Sequence, residues 1–207
     1  MTIDFAAARQ CLHVDRMVPL HVAVSDGWLP DTLPATLDDL RAAGYIITEV
    51  EGRRTARSRG VVTVPVVALN AAVARAPWHS NVQVLGLAMG RRRLRIPADR
   101  VAWFVEAHVT VRRTNDRQTI PGVVADARWH EKRPDAITRS WYVEYSSGSY
   151  SRARLKTKIL AYGPNPQVWL TGSDAHADVI RDLIADLYPG LREVRVRTVD
   201  WTAGWAA

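Results

Sequence analysis

A single cysteine, Cys11, occurs in 207 residues. No internal disulfide can form, so packing alone must hold the core, as suits a reducing compartment. Long hydrophobic runs are missing too. No stretch approaches the roughly 20 apolar residues that a membrane-spanning helix requires. The segment Met1 to Gln10 carries an acid at Asp4 and no extended apolar region, which argues against a secretory signal. Neither an internal repeat nor a low-complexity tract is present. These absences lead to the expectation of a cytoplasmic protein with no membrane attachment.

What is present is ordinary in amount and uneven in placement. Hydrophobic residues make up 47% and charged residues 24%, the balance of a globular protein, and the length suits one mid-sized domain or two small ones. The formal charge of +7 favours a polyanionic partner. Acids crowd the start, at Asp15, Asp26, Asp31, Asp38, Asp39 and Glu49. Basic residues cluster later: Arg53, Arg54, Arg57 and Arg59; Arg91, Arg92, Arg93 and Arg95; Arg112 and Arg113; and Arg152, Arg154, Lys156 and Lys158. Any one cluster is also what a solvated face looks like. Several in one small protein point to nucleic acid.

Leu33, Leu37, Leu40 and Tyr45 fall near helical spacing, with Thr32 or Asp31 as cap and Gly44 as terminator. Strand-like Tyr45–Val50, an arginine-rich tip and β-branched Val61–Val67 follow. Helix, strand, basic turn, strand is the layout of a winged helix, expected over residues 1–70. There the helix would enter a DNA groove while Arg53, Arg54, Arg57 and Arg59 touch phosphates. A second domain is expected over 77–207, after a junction at Asn70–Trp78 punctuated by Pro77. Its order reads helix (from Ser80), three strands (Arg100–Val111, Ile120–Arg128, Trp141–Ser146), helix to Tyr162, strand, helix, strand.

The chemistry concentrates between Val123 and Tyr162. Glu144 lies on the second arm of a hairpin whose turn is Lys132-Arg133-Pro134-Asp135. Two aspartates compete to pair with it. Asp135 sits in the turn itself, whereas Asp126 lies about as far before the turn as Glu144 lies after it. Antiparallel pairing brings Asp126 and Glu144 close, so Asp126 is preferred. Two carboxylates on adjacent strands, with a lysine behind them, are the minimal parts for holding a divalent metal and activating water against a phosphodiester; in an endonuclease or nickase Asp126, Glu144 and the Tyr145 carbonyl would hold Mg²⁺ or Mn²⁺. Ser146 stands where many metal nucleases carry a lysine. Lys158 falls in the apolar stripe of the following helix, with Leu155, Ile159 and Tyr162, and can point back at the acids; the plain alternative is a lysine that snorkels to solvent. Glu106 and His79 are possible accessories. Arg91, Arg92, Arg93, Arg152, Arg154 and Lys156 are candidate phosphate contacts.

The stretch Trp141–Tyr162 resembles the core of the replication-relaxation family of plasmid and mobile-element proteins. Its members show an apolar strand ending in Glu (Glu144), a Gly-Ser turn (Gly148-Ser149), and a helix ending in Lys-x-x-x-Tyr (Lys158 to Tyr162). The family also has an N-terminal winged helix, a His opening the next helix (compare His79) and a Pro-Asp ending the second strand, where this chain has Ala125-Asp126. The resemblance implies an α/β chain: a winged helix, then a PD-(D/E)xK nuclease-like core with a mixed sheet. It also implies a DNA-binding protein of a mobile element, with replication, conjugation or transposition proteins as partners. The activity expected is metal-dependent endonuclease or nickase; the alternative is a non-catalytic scaffold on a degenerate nuclease fold.

Overall fold

A computed structural model of the chain describes residues 2–30, 33–53, 55, 58–98, 101–113, 116–131 and 139–202. Side chains are described for these except 33–35, 78, 79, 101–113, 116–123, 131 and 139. The chain divides into two compact units: Met1–Asp99 together with Asp200–Ala207, and Arg100–Val199. The junction expected at Asn70–Trp78 therefore lies inside the first unit. The tail, expected in the second domain, returns to the first.

The first unit begins with α1 (Phe5–Asp15), β1 (Met17–Pro19), α2 (Leu20–Ser25) and α3 (Leu33–Ala42). Next come β2 (Ile46–Gly52), β3 (Val62–Ala68), α4 (Ala71–Ala74) and α5 (Trp78–Arg93). The Asp4 carboxylate opens α1 by accepting the Ala6 and Ala7 N–H groups, each at 3.0 Å. Gly44, at φ 87°, ends the α3 segment in the left-handed region, as its spacing predicts. The expected caps of α3, Asp31 and Thr32, lie outside the described residues. The three strands form an antiparallel sheet in the order β1-β3-β2, with Met17 opposite Ala68 and Val50 opposite Val64. Leu12, Val18, Trp28, Leu40 and Val67 form the core beneath it. Burying side chains of this size is worth about 1.5–3 kcal/mol each, which fixes the helices on the short strands.

Gly52 closes β2 where the backbone meets two side chains. A Cβ there would lie 2.6 Å from Val82 Cγ2 and 3.2 Å from the Trp201 ring, so only glycine fits without a shift. Trp201 is fully buried at this spot and ties the returning tail into the first unit.

The second unit runs β4 (Val101–Arg113), β5 (Asp116–Glu131), β6 (Arg139–Ser146), α6 (Arg152–Tyr162), β7 (Gln167–Thr171), α7 (Asp174–Leu187) and β8 (Val194–Thr198). Its five strands form one mixed sheet in sequence order. β4, β5 and β6 pair antiparallel, while β6, β7 and β8 pair parallel. Parallel neighbours need a crossover, and α6 and α7 supply it. Ser151 caps α6 by accepting the Arg154 N–H, and Ser173 caps α7 by accepting the His176 N–H. Every residue of β7 is buried, as expected of a strand inside a parallel sheet. Leu155, Ile159 and Tyr162 of α6 and Ile180, Leu183 and Ile184 of α7 share one core with Tyr142, Trp169 and Val196 of the strands. Both helices thus cover the face that carries Tyr142, Glu144 and Ser146 in β6. Among the described residues, no helix is long and apolar enough to cross a membrane.

Candidate functional site

Regular pairing of β5 with β6 ends at Ala127 opposite Val143. Continuing that register would set Asp126 against Glu144. Instead the strands part, and Asp126 Oδ2 accepts the Tyr145 N–H at 2.8 Å. The carboxylate substitutes for a backbone rung and is held at the point of splay. Glu144 is 0% exposed and Asp126 is 8% exposed. Two carboxylates from adjacent strands thus converge in the interior, as their equal distance from the turn predicts. Asp135 lies outside the described residues.

An ionised carboxylate buried this deeply needs donors on every side. Glu144 has three. The Lys158 ammonium forms a short ion pair with Oε1 and also donates to the Val124 carbonyl at 3.0 Å. The Tyr150 hydroxyl donates to Oε1 at 2.9 Å, and the Tyr162 hydroxyl donates to Oε2 at 2.5 Å. Lys158 sits on the inner side of α6, as its place in the apolar stripe predicts, and does not snorkel to solvent. Burial first, and the Glu144 charge second, hold both phenols protonated well above the ordinary tyrosine range. Both therefore act as donors to Glu144. The Asp126 charge adds to each shift, which places it in the same electrostatic neighbourhood. Tyr162 stacks on Tyr142 with ring centroids 5.2 Å apart, which fixes its hydroxyl against Glu144.

Ser146, two residues beyond Glu144 on the same face, meets His176 of α7, with Oγ 2.8 Å from Nε2. Neither His176 nor Tyr150 is singled out by sequence reasoning. Tyr150 follows the Gly148-Ser149 turn closely, and that position was its only signal. His176 reaches Ser146 across 30 residues and gave none.

The basic candidates divide. Arg152, Arg154 and Lys156 are exposed on the outer side of α6, and Arg154 stacks over the Tyr150 ring at 4.7 Å. Arg53, Arg59 and Arg93 are exposed in the first unit. Arg54, Arg57 and the side chains of His79 and Glu106 lie outside the described residues. Arg91 and Arg92 depart from the expectation that they contact phosphate, because both are turned inward and paired. Arg91 grips Asp15 with Nε at 2.7 Å and Nη2 at 2.6 Å, and donates Nη1 to the Ile96 carbonyl. Arg92 bridges Asp15 and Asp26 and donates to the Ala88 carbonyl and Cys11 Sγ. Burial opposes both charges, and the acids more than compensate, so both pKa values rise. Burial, with Asp15 next, pushes the Cys11 thiol up to about 12.

Asp126 and Glu144 are the residues here that could hold a metal. The donors are carboxylate oxygens of Asp126 and Glu144 and the Tyr145 carbonyl, and hard cations take oxygen ligands. Among the described residues, the Lys158 ammonium is the charged partner of Glu144. Among the described residues there is no group of three or more His, Cys, Asp or Glu placed to hold a metal. Any such cation would complete its shell with water and substrate oxygens, as Mg²⁺ commonly does. No family model, curated protein or solved structure matches this chain.

Proposed function

We propose that the protein binds DNA and cuts a phosphodiester bond with the help of Mg²⁺ or Mn²⁺, in a second unit of the PD-(D/E)xK type. The observation that carries this reading is the convergence of Asp126, Glu144 and Lys158 where β5 and β6 part. A bound cation would supply Lewis-acid activation of water and of the phosphoryl oxygen. Asp126 and Glu144, with the Tyr145 carbonyl, hold it. Asp126 keeps its carboxylate placed through the Tyr145 N–H, and Tyr162 keeps Glu144 from turning away. Lys158 balances the carboxylates in the free protein and offers an N–H to the scissile phosphate when DNA is present. Arg152, Arg154 and Lys156 extend the phosphate-binding face along α6.

The first unit reads as a winged helix. Its element order from α1 to β3 and its sheet order β1-β3-β2 support that, with α3 as the groove-reading helix and the β2–β3 tip on phosphates. The resemblance to replication-relaxation proteins points to a mobile element. The test is conversion of supercoiled plasmid to nicked or linear form with Mg²⁺ present. Cleavage should vanish in Asp126→Asn and Glu144→Gln, and parental cutting by both variants would sink the site. Arg53→Ala with Arg59→Ala should weaken DNA binding and lower its salt dependence by about two counterions' worth of slope.

One observation favours a second reading. Glu144 already accepts three donors, two on Oε1 and one on Oε2, which leaves a single lone-pair site for a cation. In that reading the unit is a degenerate nuclease fold that serves as a scaffold for DNA or for replication or conjugation proteins. Salt-sensitive DNA binding without cleavage, and no thermal shift with Mg²⁺ or Mn²⁺, would select it.

A further inference from the structure

Three hydroxyl side chains end the parallel half of the sheet. Ser146, Thr171 and Thr198 are register partners at the carboxyl ends of β6, β7 and β8. That edge is where open α/β sheets receive ligands. By strand alternation all three share the face of Glu144, Trp169 and Val196, which α6 and α7 cover. Two of the three are bonded to the first turn of α7: Ser146 to His176 Nε2, and Thr198 to Asp174 Oδ1. Thr171, between them, is fully buried, and its Oγ1 has no hydrogen-bond partner among the described residues. A buried hydroxyl in that state is destabilising, so such groups mark positions that water or ligand completes.

Ser146 occupies the place of the lysine that would orient the attacking water. Lys158 does not fill that role in the free protein, because its ammonium is engaged by Glu144 and the Val124 carbonyl. We infer that the Ser146–His176 pair orients the water in its stead. The two atoms are 2.8 Å apart, and in the tautomer whose Nε2 accepts the Ser146 hydroxyl hydrogen the Oγ lone pairs are left to accept a hydrogen from the water. The Thr171 hydroxyl, one strand over on the same face, is a second contact for that water. His176 acts through Ser146 and is a positioning residue; Ser146 is the group that touches the nucleophile. The inference rests on the nuclease reading and deepens it.

The experiment is plasmid cleavage with Mg²⁺ by the full chain and four variants: Ser146→Ala, His176→Ala, the two together, and Ser146→Lys combined with His176→Ala. Each single alanine variant should lose about 10- to 100-fold in kcat with KM unchanged. The double alanine variant should be no worse than either single, because the two side chains work as one unit. Lysine at 146 should restore cleavage without His176, which a merely structural histidine would not permit. A parent that cuts, with alanine variants that cut equally or a combined loss that multiplies, overturns this role and leaves the nuclease reading standing. Failure of the lysine variant to rescue also overturns it. A parent that binds DNA and never cuts overturns both.

Discussion

Each unit buries a charged cluster, and the two clusters are built on opposite principles. In the first unit two arginines face two aspartates, and the guanidinium groups spend their donors on Asp15, Asp26, Cys11 and backbone carbonyls. Charge is balanced and α1 is bolted to α5. In the second unit the Glu144 carboxylate is met by one ammonium and by two neutral phenols. The first cluster answers charge with charge, whereas the second meets its deepest carboxylate largely with neutral hydroxyls.

The largest effects should separate stability from activity. Asp15→Ala strands the buried Arg91 guanidinium and leaves Arg92 with Asp26 alone, and Glu144→Ala strands an ammonium and two hydroxyls. Each should cost about 3–5 kcal/mol in urea unfolding. Only Glu144→Ala should abolish cleavage at temperatures where both variants are folded; equal loss of cutting would break the comparison. Tyr162→Phe removes one donor to a buried charge and should cost about 1.5–3 kcal/mol by the same measurement. Asp126→Asn should cost less than Glu144→Ala in the same unfolding measurement, because an amide oxygen can still accept the Tyr145 N–H. It should nonetheless erase any rise in melting temperature produced by Mg²⁺.

An effect confined to alkaline pH concerns Cys11. Its folded-state pKa, about 12, lies above the ordinary 9.0, so the protonated thiol's contribution to stability is intact below pH 9. That contribution should drain away as the pH climbs from 9 towards 12. Cys11→Ala should flatten this part of the pH–stability curve, and an unchanged curve would assign the decline to other groups.

Local signals in the sequence carried much of the second unit. Ser151 and Ser173 announce their helices, and equal spacing from the turn brings Asp126 to Glu144. The apolar stripe of α6 turns Lys158 inward. Long-range pairings left no local trace. Arg91 and Asp15 are 76 residues apart, and three consecutive arginines read equally well as a phosphate contact until a partner is found. β1 is three residues long, too short for any periodicity, and it becomes a strand only because Val67 and its neighbours pair with it. Tyr150 and His176 were hidden for the same reason, since their meaning comes from the atoms they reach.

Trp201 seated against Gly52 has a consequence for how the molecule comes apart. The chain leaves the first unit once and comes back, so the second unit is a loop of sequence with both ends moored. A protease that nicks only one crossing produces two fragments that stay together under native conditions. Release of the Arg100–Val199 piece takes a second cut, or a denaturant strong enough to pull one tryptophan out of its seat.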